Sequence, residues 1–281
     1  MAGPIEAAQL VQAYADLCGV NIQEQPKVVA LPGVTALVFA PHPDDECIIG
    51  ALPLRLQREA GVVVSVAPVT FGSKPERRAE RRQELAQACA TLGFTLAELA
   101  AQGFSAVTAE TKASQQIIWD GMVGKTAQLL QKQKPQIIFV PHRADGHPTH
   151  VGTHHLVMEA LARLPDDFTT RLVFTEFWHP QADANLMVVS TPEDVTQLVT
   201  ALACHAGEIT RNPYHRTLPA WMIDSARRGA ETIGGFGENG TGLGFATLYR
   251  FGLWQLGAYR PAPPIVLPAD HSAASLLALS W

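Results

Sequence analysis

The stretch VTALVFA, Val34–Ala40, runs directly into PHPDDE, Pro41–Glu46, and the junction between them decides the fold. A near-continuous apolar run of this kind fits a strand buried on both faces, as in the interior of a parallel sheet. The polar segment starts at Pro41, and a helix is expected from about Asp45 to Ala60, stopped by Gly61 at its C′ position. Val62–Thr70 reads as the next strand, and Glu76–Leu92 as an amphipathic helix closed by Gly93. A further helix over 113–132 leads through Pro135 into a strand at Gln136–Val140. Strands alternating with helices in this way imply parallel βαβ units, whose ligands sit at the carboxyl ends of the strands. Two strand ends open into polar, histidine-bearing loops: Ala40 into 41–46 and Val140 into 141–150. A site is expected where they meet.

Outward from that junction, residues 5–19 have helical apolar spacing and are expected to form an N-terminal helix ahead of the main fold. The expected architecture is α/β: a Rossmann-like, mostly parallel sheet flanked by helices, with a smaller C-terminal α+β extension. Residues 1–165 would form the core, and 166–281 would complete the sheet and the substrate pocket. In the extension, Arg171–Trp178 and Leu186–Ser190 read as strands and Pro192–Ala206 as a helix. The Gly- and Asn-rich stretch 229–244 reads equally as a lid or as a plain surface loop. No internal repeat is evident.

Composition narrows the class of function. With 47% hydrophobic and 17% charged residues, the 281-residue chain has ample material for a core. A net charge of −5 gives no reason to expect a nucleic-acid or anionic-membrane surface. No apolar run approaches the ~20 residues of a bilayer-spanning helix, and Met1–Leu10 lacks the pattern of a signal peptide. Cys18, Cys47, Cys89 and Cys204 are scattered without a CxxC pair, as expected of reduced thiols in a cytoplasmic protein. The expected partner is a small molecule, and a homo-oligomer is compatible with this composition.

The residues at the two strand ends carry the chemistry. Adjacent carboxylates there are costly to hold without a cation or donors to compensate them. One carboxylate with an imidazole suits Zn²⁺ or its first-row neighbours Fe²⁺ and Co²⁺, leaving the second carboxylate for proton transfer. The competing reading is a helix cap, with Asp44 or Asp45 satisfying the first N–H groups. The second cluster, His142, Asp145, His147 and His150, follows a strand immediately. Pro148 suits the first position of a helix, which puts His147 at its cap and His150 about one turn inside. His154 follows His150 at i+4, but Val151 stands where the HExxH zinc motif has glutamate. His154 and His155 therefore read as polar residues on the helix face or as supports behind the site.

Taken together, PHPDDE and Asp145–His150, DGHPTH, resemble the LmbE-like, or PIG-L, family of zinc-dependent N-acetylglucosamine deacetylases. Arg81-x-x-Glu84, with Ala88 and Leu92-Gly93 following, is similar to the family's second-helix pattern. The resemblance covers about residues 34–160 and is only general beyond them. It implies His42, Asp45 and His150 as metal ligands, Asp44 as general base and His147 as the acidic or electrophilic group. Arg81 would contact the sugar, although the charged helix face around it (Glu76, Arg77, Arg78, Glu80) offers an ordinary ion-pair reading. The family commonly has HPDH where this chain has His147-Pro148-Thr149-His150. Without that aspartate His147 is expected to have a lowered pKa, with Asp145 a candidate to orient it or to reach the substrate.

The resemblance thus implies hydrolysis of an N-acetyl aminosugar or glycoconjugate by metal-activated water. Two alternatives stand beside it: an amidase of the same family acting on another small amide such as a thiol conjugate, and a non-catalytic carbohydrate-binding relative. Pocket walls are expected from Phe71–Pro75, Trp178-His179 and Tyr214–Trp221. A nucleotide-binding Rossmann site is set aside, because the first strand ends in carboxylates rather than a GxGxxG turn.

Overall fold

The computed structural model describes residues 4–20, 26–234 and 244–279. Its centre is a single sheet. Strands β1 (Thr35–Ala40), β2 (Val63–Pro68), β3 (Thr95–Leu96), β4 (Ile137–Pro141) and β5 (Thr170–Thr175) pair in parallel in the order β3-β2-β1-β4-β5. The interior strands β1 and β4 are buried along almost their whole length, as the unbroken apolar run at 34–40 requires.

Beyond β5 the sheet continues but changes direction. Strands β6 (Leu186–Ser190), β7 (Phe245–Gln255), β8 (Ala258–Pro261) and β9 (Ile265–Leu267) extend it in the order β5-β7-β6-β9, with β8 on β7. The eleven-residue β7 runs antiparallel to both β5 and β6, so one sheet passes through residue 165 without a break. The fold is the expected α/β architecture, a mostly parallel sheet flanked by helices.

Helices cover both faces: α1 (Pro4–Cys18), α2 (Asp45–Ile48), α3 (Leu52–Ala60), α4 (Arg78–Leu92), α5 (Ala109–Ser114), α6 (Gln116–Gln133), α7 (Pro148–Leu161), α8 (Pro192–Leu202), α9 (Ala206–Ile209), α10 (Tyr214–Thr232) and α11 (Ser275–Ala278). Three apolar clusters result among the described residues, a small one of Met187, Ala226, Ala246 and Leu248 and two larger ones. One lies under α1, α3, α4 and α8, and the other, centred on the fully buried Trp119, under α6 and α7. Among the described residues no helix is long and apolar enough to cross a membrane.

Three expectations need correction. The helix foreseen over 45–60 is two helices, because Gly50 takes a left-handed φ of 87° and packs on Thr247 of β7. A Cβ there would lie 2.1 Å from Thr247 Oγ1, so only glycine permits the approach. The helix foreseen over 192–206 ends early, at Leu202, and His205 lies in the turn before the separate α9. Finally, part of the glycine-rich stretch is ordered helix: α10 runs to Thr232, and Gly229 is buried within it against Met187 and Leu248. Residues 235–243, on which the lid reading falls, lie outside the described residues.

Candidate active site

β1 delivers the first loop. The backbone N–H of His42 donates to Asp45 Oδ2 at 2.7 Å, which curls the chain after Pro41. Asp44 holds the N-cap position of α2 with φ 120° and ψ −27°, a left-handed conformation rare for a residue with a side chain. Its carbonyl accepts from the N–H groups of Cys47 and Ile48, but its carboxylate makes no capping hydrogen bond. The capping reading therefore fails for both aspartates. Asp44 turns its carboxylate into a cavity, and Asp45, 1% exposed, keeps Oδ1 without a hydrogen-bond partner.

The second loop comes from β4. His147 caps α7 as foreseen, its Nδ1 accepting from the Thr149 N–H at 3.2 Å, with Pro148 at the first helical position. That bond leaves Nε2 as its free nitrogen. His150, one turn on and 1% exposed, points Nε2 at Asp45 Oδ1 across 3.5 Å. His42 Nδ1 lies 3.6 Å from Asp45 Oδ2. The ring nitrogens of His42, His147 and His150 come within 4.8 Å of one another.

Asp145 is not where a substrate contact or a partner for His147 would have to be. It is fully buried, accepts the N–H groups of Phe177 and Trp178, and faces His150 Nδ1 at 3.1 Å. The short DGHP turn carries it beneath His150 rather than toward the opening, so its role is to support the deeper histidine. His154 is also a support: Nδ1 bonds the Pro141 carbonyl at 2.9 Å.

Charge separates the groups. Burial, reinforced by the charges of Asp45 and Glu46, pushes the Asp44 carboxyl well above the usual carboxylate range, while Arg81 pulls the other way. Burial pushes Asp45 up too, but His150 and His42 outweigh it and hold Asp45 below its ordinary value. Burial depresses His150, yet the charge of Asp45 and the contact with Asp145 raise it overall. His147 is pushed down to about 4 by burial and by the neighbouring His42 and His150. The two adjacent aspartates are thus driven apart, one toward a proton and one away from it.

These donors suit a divalent cation. Ligands about 2.1 Å from a tetrahedral zinc stand roughly 3.4 Å apart. His150 Nε2 stands 3.5 Å from Asp45 Oδ1 and His42 Nδ1 3.6 Å from Asp45 Oδ2, so each histidine faces a different oxygen of the carboxylate at about that spacing. Asp45 Oδ1 and His150 Nε2 are buried atoms left without partners, which is costly unless an ion or water satisfies them.

Above the cluster lies a cavity of about 660 Å³. Of the walls foreseen, Gly72, Ser73, Trp178 and Tyr214 line it. Arg81 also lines it, leaving the ion-pair face of α4 to donate to the Pro43 carbonyl at 2.8 Å. Its Nη2 stands 3.9 Å from Asp44 Oδ2 and 3.8 Å from Glu208 Oε2. Gly72 allows that route, since a Cβ there would lie 2.5 Å from Arg81 Nη1. Trp178 stacks on His147 at 5.7 Å and is 48% exposed, so one ring face stays available. Sequence reasoning missed Phe104–Val107, Glu208, Arg211 and Asn212 of the wall, and also Glu46 and His205 behind it. Glu46 stood inside the quoted motif and carried a signal; the others sit in segments with no local pattern.

Residues 37–161 match the family PIG-L, described as GlcNAc-PI de-N-acetylase. A 1D-myo-inositol 2-acetamido-2-deoxy-alpha-D-glucopyranoside deacetylase from Corynebacterium urealyticum is 22% identical over 248 residues, covering 66% of this chain and 71% of that one. A probable N-acetyl-alpha-D-glucosaminyl L-malate deacetylase 2 from Bacillus cereus is 28% identical over 144 residues, 47% of this chain and 62% of its own length. Among solved structures, N,N'-diacetylchitobiose deacetylase from Pyrococcus horikoshii has a TM-score of 0.55 at 17% identity, covering 88% of this chain and 91% of that one. The 4-carboxy-2-hydroxymuconate hydratase from Pseudomonas putida has a TM-score of 0.57 at 14% identity, covering 78% and 95%. At such identities the structural likeness establishes the fold alone. The segment matched by the PIG-L family, residues 37–161, carries both strand-end clusters.

Proposed function

We propose that this protein is a metal-dependent deacetylase that removes the N-acetyl group from an aminosugar of the N-acetylglucosamine type. One observation carries the reading: the uncapped carboxylate of Asp44 faces the cavity beside the partnerless donors of Asp45 and His150. The family of residues 37–161 and the deacetylase names of both curated relatives supply the reaction class. Four free cysteines favour a cytoplasmic setting.

In this reading His42, Asp45 and His150 hold Zn²⁺, or Fe²⁺ or Co²⁺ in its place. Such an ion supplies Lewis acidity to a carbonyl oxygen and to a water. Asp44, whose basicity burial raises, takes the proton of the attacking water and returns it to the departing amine. Arg81 opposes, without cancelling, the effect of burial on Asp44. His147 is neutral at physiological pH, and its Nδ1 is engaged as an acceptor, so its proton sits on Nε2. It donates from there to the developing oxyanion. Thr149 in place of the family's usual aspartate therefore suits a neutral electrophile rather than an imidazolium. Trp178 and Tyr214 flank the space for the sugar ring.

The test is acetate release from methyl N-acetylglucosaminide and N,N'-diacetylchitobiose, with and without a chelator. Chelator-sensitive release is expected, and its absence from both substrates removes the deacetylase reading. A second reading has the hydratase neighbour behind it, since a placed base and a Lewis acid also suit addition of water to a double bond. Hydration of a carboxy-hydroxymuconate without acetate release from the aminosugars would favour it.

A further inference from the structure

Behind Asp44 lies a second constellation that the proposed reaction does not use. Glu46 and His205 are both fully buried, and they meet across 159 residues of sequence. His205 Nε2 donates to Glu46 Oε1 at 2.6 Å, and the other oxygen of the same carboxylate, Oε2, accepts the backbone N–H of Asp44 at 3.0 Å. Cys47 Sγ adds a contact of 3.3 Å to Oε1. The cluster offers three residue types that also bind metals. However, one Glu46 oxygen is bonded to a histidine and the other to an amide, so the carboxylate is already engaged within the protein, and His205 Nδ1 is the atom left without a partner.

What it is bonded to gives it meaning. The amide it holds belongs to the one residue of the loop with an unusual backbone, Asp44 at φ 120°. Residues with side chains keep such conformations only where the surroundings over-determine them. The same short segment reaches Asp44 from its other side. His205 precedes α9, α9 carries Glu208, and Glu208 faces the Arg81 guanidinium that faces the Asp44 carboxylate. α9 is itself tied to α4, since the Gly207 N–H donates to Glu84 Oε1 at 2.8 Å.

We propose that the buried Glu46–His205 pair is a positioning clamp: it locks the Asp44 backbone in its left-handed conformation, and so aims the Asp44 carboxylate into the cavity. Glu46 and His205 touch neither substrate nor metal ligand side chains in this role; they act through Asp44. The kinetic consequence rests on Asp44 being the base of the proposed reaction, whereas the conformational consequence does not.

The experiment combines kinetics with a crystal structure of the variants. Glu46→Leu removes both hydrogen bonds at similar volume. It is expected to lower kcat by about 100-fold, with KM and metal stoichiometry nearly unchanged. Glu46→Gln, which keeps an oxygen for the Asp44 N–H, should recover kcat to within about three-fold of the natural enzyme. Because Glu46 acts through Asp44, Asp44→Asn and Asp44→Asn with Glu46→Leu should turn over at the same residual rate. In the crystal, Asp44 of Glu46→Leu should relax to a negative φ. Should Glu46→Leu not fold, His205→Leu leaves Glu46 in place but unanchored and should show the same Asp44 relaxation with a loss of about ten-fold.

Full turnover in the folded variants, multiplying losses in the double variant, or Asp44 still near φ 120° would each overturn the clamp. If the natural enzyme releases no acetate from aminosugars, the deacetylase reading falls, and the Asp44 conformation in the variants still decides the clamp.

Discussion

The two halves of the sheet do different work. The parallel half, β1 to β5, ends its strands in the residues that bond, ionise and point at one another: His42, Asp44, Asp45, His147 and His150. Among the described residues, the half built around β7 contributes no metal-type donor to that cluster. It supplies walls and braces instead: Tyr214 and Glu208 to the cavity, Thr247 under Gly50, and His205 behind Asp44. Chemistry thus sits where parallel strands end. Shape and alignment come from the antiparallel addition, so the two halves should fail in different ways when damaged.

The largest effect is expected in the parallel half. His150→Ala should abolish both metal binding and turnover, as read by metal analysis of the purified protein. A full metal complement would take His150 out of the ligand set. Asp44→Asn should keep its metal and lose about 10³-fold in kcat, and substantial residual turnover would move the base elsewhere. His147→Ala should also keep its metal while kcat falls about 10²-fold; loss of the metal instead would make it a ligand.

A pH experiment sharpens the role of Asp145. A protonated imidazole cannot bind metal, and Asp45 and Asp145 raise the pKa of His150 above its ordinary value. Metal uptake should therefore weaken as pH falls through that raised value. Asp145→Asn removes part of the cause, so it should move the decline to lower pH. A decline that stays in place in equilibrium dialysis would show that Asp145 serves only the Phe177 and Trp178 amides.

The smallest effect is expected on the wall. Trp178→Ala should raise KM about five- to ten-fold with kcat within a few-fold, since its exposed ring face offers binding rather than chemistry. A collapse of kcat there would show that its stacking on His147 matters more than its contact with substrate.

The site's parallel half was legible because its signals are local. A buried run ending in PHPDDE and a strand ending before DGHPTH place their side chains by chain geometry within a few residues. Even the cap at His147 followed from Pro148 alone. What stayed hidden depends on distant partners. Gly50 breaks the helix because Thr247 occupies the space its Cβ would need. Arg81 points inward because Gly72 leaves a passage and Pro43 an acceptor. Asp145 seemed placed for the substrate because the sequence brings it near His147, whereas the turn rotates it under His150. No periodicity within 192–206 reveals that His205 leaves the helix to meet Glu46.

The brace on Asp44 has a consequence for the order of events during synthesis. Glu46 must wait for His205, and the Ile49 carbonyl must wait for the Tyr249 hydroxyl that it accepts at 2.6 Å. Both are long-range closures, which form late in folding. The chain emerging from the ribosome holds the proposed metal-type donors after about 150 residues, but the proposed base, Asp44, is not braced until about 205 have appeared. On the proposed reading, a nascent or truncated form would therefore be a metal binder before it is a catalyst.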